Sequence, residues 1–230
     1  MNNLHYDYSI GWFTDWLDQK YEIEKKFINV HLPCGNSRLE RGKKLFLAMA
    51  KECEKRSFFI RFVVTDPTVK NGKEGDWLID REEVIETKAL NQYLGLGVNS
   101  LTISENHEVR LQGMYLQELE SRKDLNLDYD IFVTDWVPYG DENNDVIFPF
   151  DEYVIQRLSG DGLIINFLGG RENKTGEIDS YWGMGHFDDL KLIHTGEIWD
   201  YIIENTVWYE VWKKGLDEVQ AELKSLEVEP

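Results

Sequence analysis

The segment GLIINFLGG, residues 162–170, most constrains what this chain can become, because it is a near-continuous apolar run bounded by glycines. Its length suits a strand and is short for a helix, and apolar side chains in succession rather than alternation require burial on both faces. Such a strand belongs inside a sheet that carries helices on both sides. Other segments supply partners for it. FINVHL (27–32) stops at Pro33, SFFIRFVVTD (57–66) stops at Pro67, and YDIFVTD (129–135) runs into a polar loop. VNSLTIS (98–104) and LKLIH (190–194) are further strand candidates, each rich in β-branched or apolar side chains.

Helical patterns fall between these strands. Ile10, Phe13, Trp16, Leu17 and Tyr21 recur at helical spacing over 9–27. Ser37 and Glu40 form a capping-box pair, after which Leu39, Leu45, Met49 and Cys53 mark one face to about Arg56. Asp80 and Glu83 repeat that pattern ahead of a second helix ending at Gly95 or Gly97, and DEYVIQRL (151–158) reads as a short third. The segment 108–120 is ambiguous because Gly113 interrupts it. From about 197 to 227, Trp199, Ile202, Trp208, Val211, Trp212, Leu216 and Val219 recur at intervals near three and four, the spacing of a long aromatic helix. The expected fold is therefore α+β or α/β, a mixed sheet flanked by helices with a long aromatic C-terminal helical segment.

Val64-Thr65-Asp66 and Val133-Thr134-Asp135 each close a strand candidate, and each is followed by a polar loop, a short apolar run and an acid-capped helix pattern. Duplication or coincidence in an acidic chain gives the same echo. No Pro/Gly/Ser-rich linker interrupts the sequence, so the one division that composition suggests is a charge boundary, with a near-neutral half at 1–115 and a strongly acidic half at 116–230. A single domain spanning both is equally compatible with the 230 residues.

Charge is where the sequence says most about partners. The first half has a net charge of -1 and the second of -17, together the -18 of the whole chain. Between residues 124 and 200 there are 17 acidic side chains and four basic ones, Arg157, Arg171, Lys174 and Lys191. A surface of that sign repels phosphate backbones, which excludes direct nucleic-acid binding and favours a basic protein partner. Aromatics interleave with the acids, as they do in interfaces where rings anchor and charges steer. The expected partner-binding residues are Asp135, Trp136, Tyr139, Asp141, Glu142, Asp145, Asp151 and Glu152. The corresponding expectation for function is an inhibitor, immunity- or antitoxin-like, that occludes a nuclease or another nucleic-acid enzyme, with no cofactor.

Two alternatives stand beside it. His186, Asp188, Asp189, His194 and Glu197 form a mixed imidazole and carboxylate set, which suits a metal-dependent hydrolase. An oligomeric scaffolding subunit would instead use the aromatic C-terminal segment. Recognised catalytic spacings are missing: there is no HExxH, no GxSxG and no GK[ST] phosphate loop. LGLGVNS lacks the third glycine of a dinucleotide loop and follows a helix where a strand is needed. LGGRENKTG follows a strand, the right place for a phosphate loop, but its lysine is not in the GK[ST] position and no apolar helix follows at once, so a hairpin turn is expected. Cys34 and Cys53 are too few for a tetrahedral metal site, and Cys53 reads as a small buried hydrophobe. The N-terminus has no signal-like apolar stretch and no run is long enough to span a bilayer, so the expected location is cytoplasmic.

Overall fold

The computed structural model describes residues 10–20, 27–33, 42–65, 85–89, 107–113, 128–135, 150–168, 190–200 and 205–215. Eight strands form one sheet in the order β3-β4-β2-β1-β5-β6-β8-β7. Their ranges are β1 (Phe27–Pro33), β2 (Phe59–Thr65), β3 (Ile85–Ala89), β4 (Glu108–Gln112), β5 (Tyr129–Asp135), β6 (Leu158–Leu168), β7 (Leu190–Asp200) and β8 (Asn205–Lys214). Among the described residues three helices accompany them, α1 (Gly11–Lys20), α2 (Lys43–Lys55) and α3 (Phe150–Arg157). Strands β4, β2, β1, β5 and β6 are mutually parallel. Strand β8 runs against β6 and β7 against β8, while β3 lies antiparallel on the opposite edge. The α/β class is thus met, and strands from both sides of residue 115 hydrogen-bond within one sheet.

The near-continuous apolar run of 162–170 lies in β6, between β5 and β8. Its Leu163, Ile165 and Phe167 join Ile28, Val30, Leu32, Ile60, Phe62 and Val64 on the face covered by α1 and α2. From the helices come Phe13, Trp16 and Leu17 of α1 and Leu45, Phe46, Met49 and Cys53 of α2, so the spacing of Leu45, Met49 and Cys53 read from the sequence is the buried stripe. On the second face His31, Tyr129, Phe132 and the α3 residue Tyr153 make ring contacts, with His31 stacked on Tyr129 at 4.3 Å between centroids. Burial on both faces is what a parallel sheet requires.

Helix α2 ends with Ser57 at φ 59°, where Phe58 N–H donates to the Cys53 carbonyl and Ser57 N–H to that of Glu54. These two bonds close the helix in the left-handed manner that usually selects glycine, and turn the chain directly into β2. Upstream of α2, the capping-box residues Ser37 and Glu40 lie outside the described residues, as do Cys34, the strand candidate 98–104 and the C-terminal segment beyond Gly215.

Two helical expectations are corrected. Residues 85–89, assigned from the sequence to a helix begun at Asp80, form β3. Ile85 therefore starts a strand where its counterpart in the VTD echo, the DEYVI segment, is helical. Residues 197–200 and 205–214, expected in the aromatic helix, belong to β7 and β8. In β8 the period is two: Val207, Tyr209 and Val211 are buried in the core while Trp208 is exposed. Tryptophan at 208 and 212 satisfies both a four-residue and a two-residue spacing, and β-branched and aromatic content decides for the strand.

Burial also fixes the behaviour of two titratable groups. Cys53 is buried in the core and desolvation pushes its thiol well above the usual range. It is expected to resist alkylation in the folded chain and to react only with denaturant present, as peptide mapping by mass spectrometry would record. His107, fully buried at the start of β4, accepts the Ile60 N–H on Nδ1 at 3.0 Å. Burial holds its pKa below the usual 6.5 against the opposing charge of Glu54, so the ring stays neutral when folded but protonates when unfolded. The unfolded chain then binds more protons, and stability falls as pH drops below about 6.5. Thermal melts between neutral and mildly acidic pH should show that loss, and it should shrink in His107→Asn.

Candidate ligand crevice

The chain leaves β1 for β2 and β4 on one side, then returns across β1 to place β5 and β6 on the other. Strand order therefore reverses between β1 and β5. In open α/β sheets the loops above such a point part in opposite directions, leaving a crevice at the carboxyl ends of the strands. Polar side chains gather at that level. Thr65 ends β2, Gln112 ends β4, Thr134 is next to last in β5 and Asn166 lies two residues from the end of β6. All four are buried, against the rule that strand interiors of a parallel sheet are apolar.

Their hydrogen bonds form two short chains. Thr65 Oγ1 donates to Gln112 Oε1 at 2.9 Å, and since its one proton is used there, it accepts from His31 Nε2 at 3.0 Å. That fixes the His31 tautomer with Nε2 protonated and ties β1, β2 and β4 together below their tips. Across the switch point, Thr134 Oγ1 donates to Asn166 Oδ1 at 3.0 Å. The Asn166 Nδ2 atom is buried with no hydrogen-bond partner. A buried donor without an acceptor costs about 1–3 kcal/mol, so its presence at a strand tip marks a position where a ligand acceptor is favourable. Gly42 precedes α2, and a Cβ there would sit 2.4 Å from the Phe46 ring and 3.0 Å from Phe167 of β6. Only glycine lets α2 approach the sheet this closely.

The sequence-expected residues are distributed differently. Asp135 is the last residue of β5, and Asp151 and Glu152 lie in the first turn of α3. Trp136, Tyr139, Asp141, Glu142 and Asp145 lie outside the described residues. Of the metal-like set, His186, Asp188 and Asp189 are also outside them. His194 and Glu197 both fall on β7, where His194 pairs with buried Val211 and Glu197 with exposed Trp208. They consequently point to opposite faces, so the HxxE spacing that would converge on a helix diverges on a strand. His194 instead donates or accepts a 3.2 Å hydrogen bond with the Tyr209 hydroxyl and packs against Trp12. Among the described residues no cluster of three or more His, Cys, Asp or Glu could hold a metal ion.

Sequence reasoning passed over the strand tips. A legible signal was there: β1 ends at Pro33, the sequence continues Cys34-Gly35-Asn36-Ser37, and α2 begins at Lys43, a glycine-bearing segment between a strand and a helix. The two VTD segments also both mark the carboxyl ends of parallel strands, β2 and β5.

The class defined by this geometry is a doubly wound α/β sheet with its ligand position at the β1/β5 switch point. No protein-family model matches the chain, and no curated protein does. Among solved structures it is similar to the N-methyltransferase NodS of Bradyrhizobium japonicum with bound S-adenosyl-l-homocysteine, at 10% identity over 89% of this chain and 86% of that one, TM-score 0.39. It is also similar to precorrin-6y C5,15-methyltransferase of Geobacter metallireducens, at 12% identity over 88% and 87%, TM-score 0.38. A third is phosphoethanolamine N-methyltransferase 1 of Haemonchus contortus, at 10% identity over 89% of this chain and 40% of that one, TM-score 0.37.

The functional expectation is corrected. The three solved structures named above are methyltransferases, and buried Thr65, Gln112, Thr134 and Asn166 lie at the carboxyl ends of the strands of a doubly wound sheet. The inhibitor reading, with its immunity-protein and antitoxin variants, is withdrawn, and so is the metal hydrolase. Charge asymmetry misled because net charge speaks to solubility and encounter and says nothing of what the sheet encloses. No helix among the described residues is long and apolar enough to cross a membrane.

Proposed function

We propose that this chain is an S-adenosylmethionine-dependent methyltransferase that holds the cofactor over the carboxyl ends of β1 and β2. What supports the reading is the reversal of strand order between β1 and β5, together with buried polar side chains at the strand tips. The name of the ligand comes from the N-methyltransferase NodS structure, which holds S-adenosyl-l-homocysteine. The residues present suit a nucleoside. Asp66 follows directly on β2, the place from which an acidic side chain accepts ribose hydroxyls in dinucleotide-binding sheets. Asn166 Nδ2 offers an uncommitted donor at the tip of β6.

The first loop departs from a dinucleotide fingerprint, since Gly35 is the one glycine between Pro33 and Arg41. When bound, the cofactor supplies an electrophilic methyl group; the protein's task is to orient the acceptor and exclude water. The acidic second half disfavours a nucleic-acid acceptor and leaves a small molecule or a protein as the methylated species.

Photo-crosslinking with radiolabelled S-adenosylmethionine tests the placement. Label is expected in peptides containing residues 27–41 and 59–70, and its confinement to other peptides would contradict the site.

A further inference from the structure

The exposed large hydrophobic residues among the described ones are Leu192 at 41%, Ile193 at 37% and Trp208 at 42%, and all lie on β7 and β8. Register places most of this surface on one side. Leu192 pairs with Trp212, Thr195 with Glu210, Glu197 with Trp208 and Trp199 with Thr206, and directly paired residues share a face. The opposite face of the same two strands carries Val207, Tyr209, Val211 and Ile198, all buried in the core under α1. The outer face is thus a lane of three tryptophans, 199, 208 and 212, with Leu192 beside them and the carboxylates of Glu197 and Glu210 between. Trp212 Nε1 donates to Glu210 Oε2 at 3.0 Å, which holds that carboxylate in the plane of the aromatic lane. Ile193 is the extra residue where register shifts between Leu192 and His194.

An exposed Trp208 flanked by half-buried Trp199 and Trp212, with the exposed Glu197 and the Trp212-bonded Glu210 between them, has the ring-and-charge composition of a docking surface. We infer that it binds a cationic polypeptide segment whose Arg or Lys side chains lie over the tryptophan faces and pair with Glu197 and Glu210, while its apolar residues cover Leu192 and Trp208. Charge complementarity selects that occupant. Nucleic acid and anionic lipid are repelled by the two carboxylates and by the net charge of -18. A second copy would bring like charges together across the same face. Guanidinium and ammonium groups gain from rings and carboxylates at once. The inference stands independently of the methyltransferase reading, because it uses a different surface and needs no cofactor.

The test is fluorescence anisotropy with the full chain and a labelled peptide of alternating Arg and Leu, beside matched Glu-Leu and Gly-Ser peptides, at low and moderate salt. The Arg-Leu peptide is expected to bind and the other two not. Trp208→Ser and, separately, Leu192→Ser should each weaken binding by about tenfold while leaving thermal melts unchanged, since both side chains are exposed. Glu210→Gln, which retains an oxygen acceptor for Trp212, should weaken binding less and flatten the salt dependence. Asp18→Asn, on exposed α1 surface, should change neither. Equal effects of Asp18→Asn and Glu210→Gln would mean diffuse attraction to an acidic protein and overturn the site. Absence of Arg-Leu binding would overturn it too. So would a dimer in sedimentation that Trp208→Ser dissolves, because a second copy would then be the occupant.

Discussion

Lys20→Met is expected to destabilise the chain by about 3 kcal/mol without touching the ligand crevice. Lys20 is the last residue of α1 and is 5% exposed. Its Nζ lies 2.7 Å from Asp161 Oδ1 and 3.6 Å from Asp130 Oδ1, and 4.7 Å from the centre of the Trp16 ring. Asp130 is fully buried, and its other oxygen accepts the Asn29 N–H at 2.9 Å. Trp16 adds a 2.8 Å bond from Nε1 to the Asp161 carbonyl. One ammonium group therefore joins α1 to the amino-terminal ends of β5 and β6, below the switch point. Methionine fills the space but removes the ammonium from beside the buried Asp130 and the Asp161 carboxylates, and the loss of that ion pairing is the source of the destabilisation. Lys20→Met with Asp130→Asn should recover part of it, because the buried carboxylate is then gone. Denaturant unfolding of the two variants measures the difference, and equal stability of Lys20→Met and the unsubstituted chain would contradict the clamp.

Asp66→Ala is expected to have the second large effect, on binding instead of stability, if the proposed cofactor site is correct. A carboxylate accepting ribose hydroxyls contributes about 2 kcal/mol, so its removal should weaken S-adenosylhomocysteine binding by about thirtyfold. Asp66 adjoins Thr65, whose bonds to His31 and Gln112 set the end of β2, and alanine leaves those bonds in place. Melting temperature should hardly move. Asp66→Glu tests the geometry, since it retains the charge on a longer stem and should fall between the two. An affinity unchanged in Asp66→Ala, measured by calorimetric titration, would remove this residue from the site.

Much of the sheet was legible because its inner strands are chemically extreme. Ile28, Val30 and Leu32 alternate with Asn29 and His31, β2 is almost wholly apolar or β-branched, and the stop signals at Pro33 and Pro67 agree with the ends of β1 and β2. The α2 stripe was legible for the same reason, three residues at helical spacing all buried. Edge elements were not. Residues 85–89 follow an acid-rich, helix-like stretch, and pairing with β4 overrides that local preference. Trp208 and Trp212 fit two periods at once, and the burial of Val207, Tyr209 and Val211 beside the exposed Trp208 is that of the two-residue period.

The crevice was hidden for a different reason. Thr65, Gln112, Thr134 and Asn166 are far apart in sequence, individually unremarkable, and become a set only when strand order brings their tips together. The acidic loops drew attention because charge is visible in one dimension. A strand-order reversal is not. The signal available was the segment 34–41 between a strand and a helix, whose sequence carries one glycine where a familiar fingerprint has three.

Titration calorimetry of the full chain with S-adenosylhomocysteine, repeated at several temperatures, most directly tests the central claim. Saturable binding of a single molecule per chain is predicted, with a negative heat-capacity change from burial of the nucleoside. A chain that melts cooperatively yet releases no heat and shows no displacement with this ligand would contradict it.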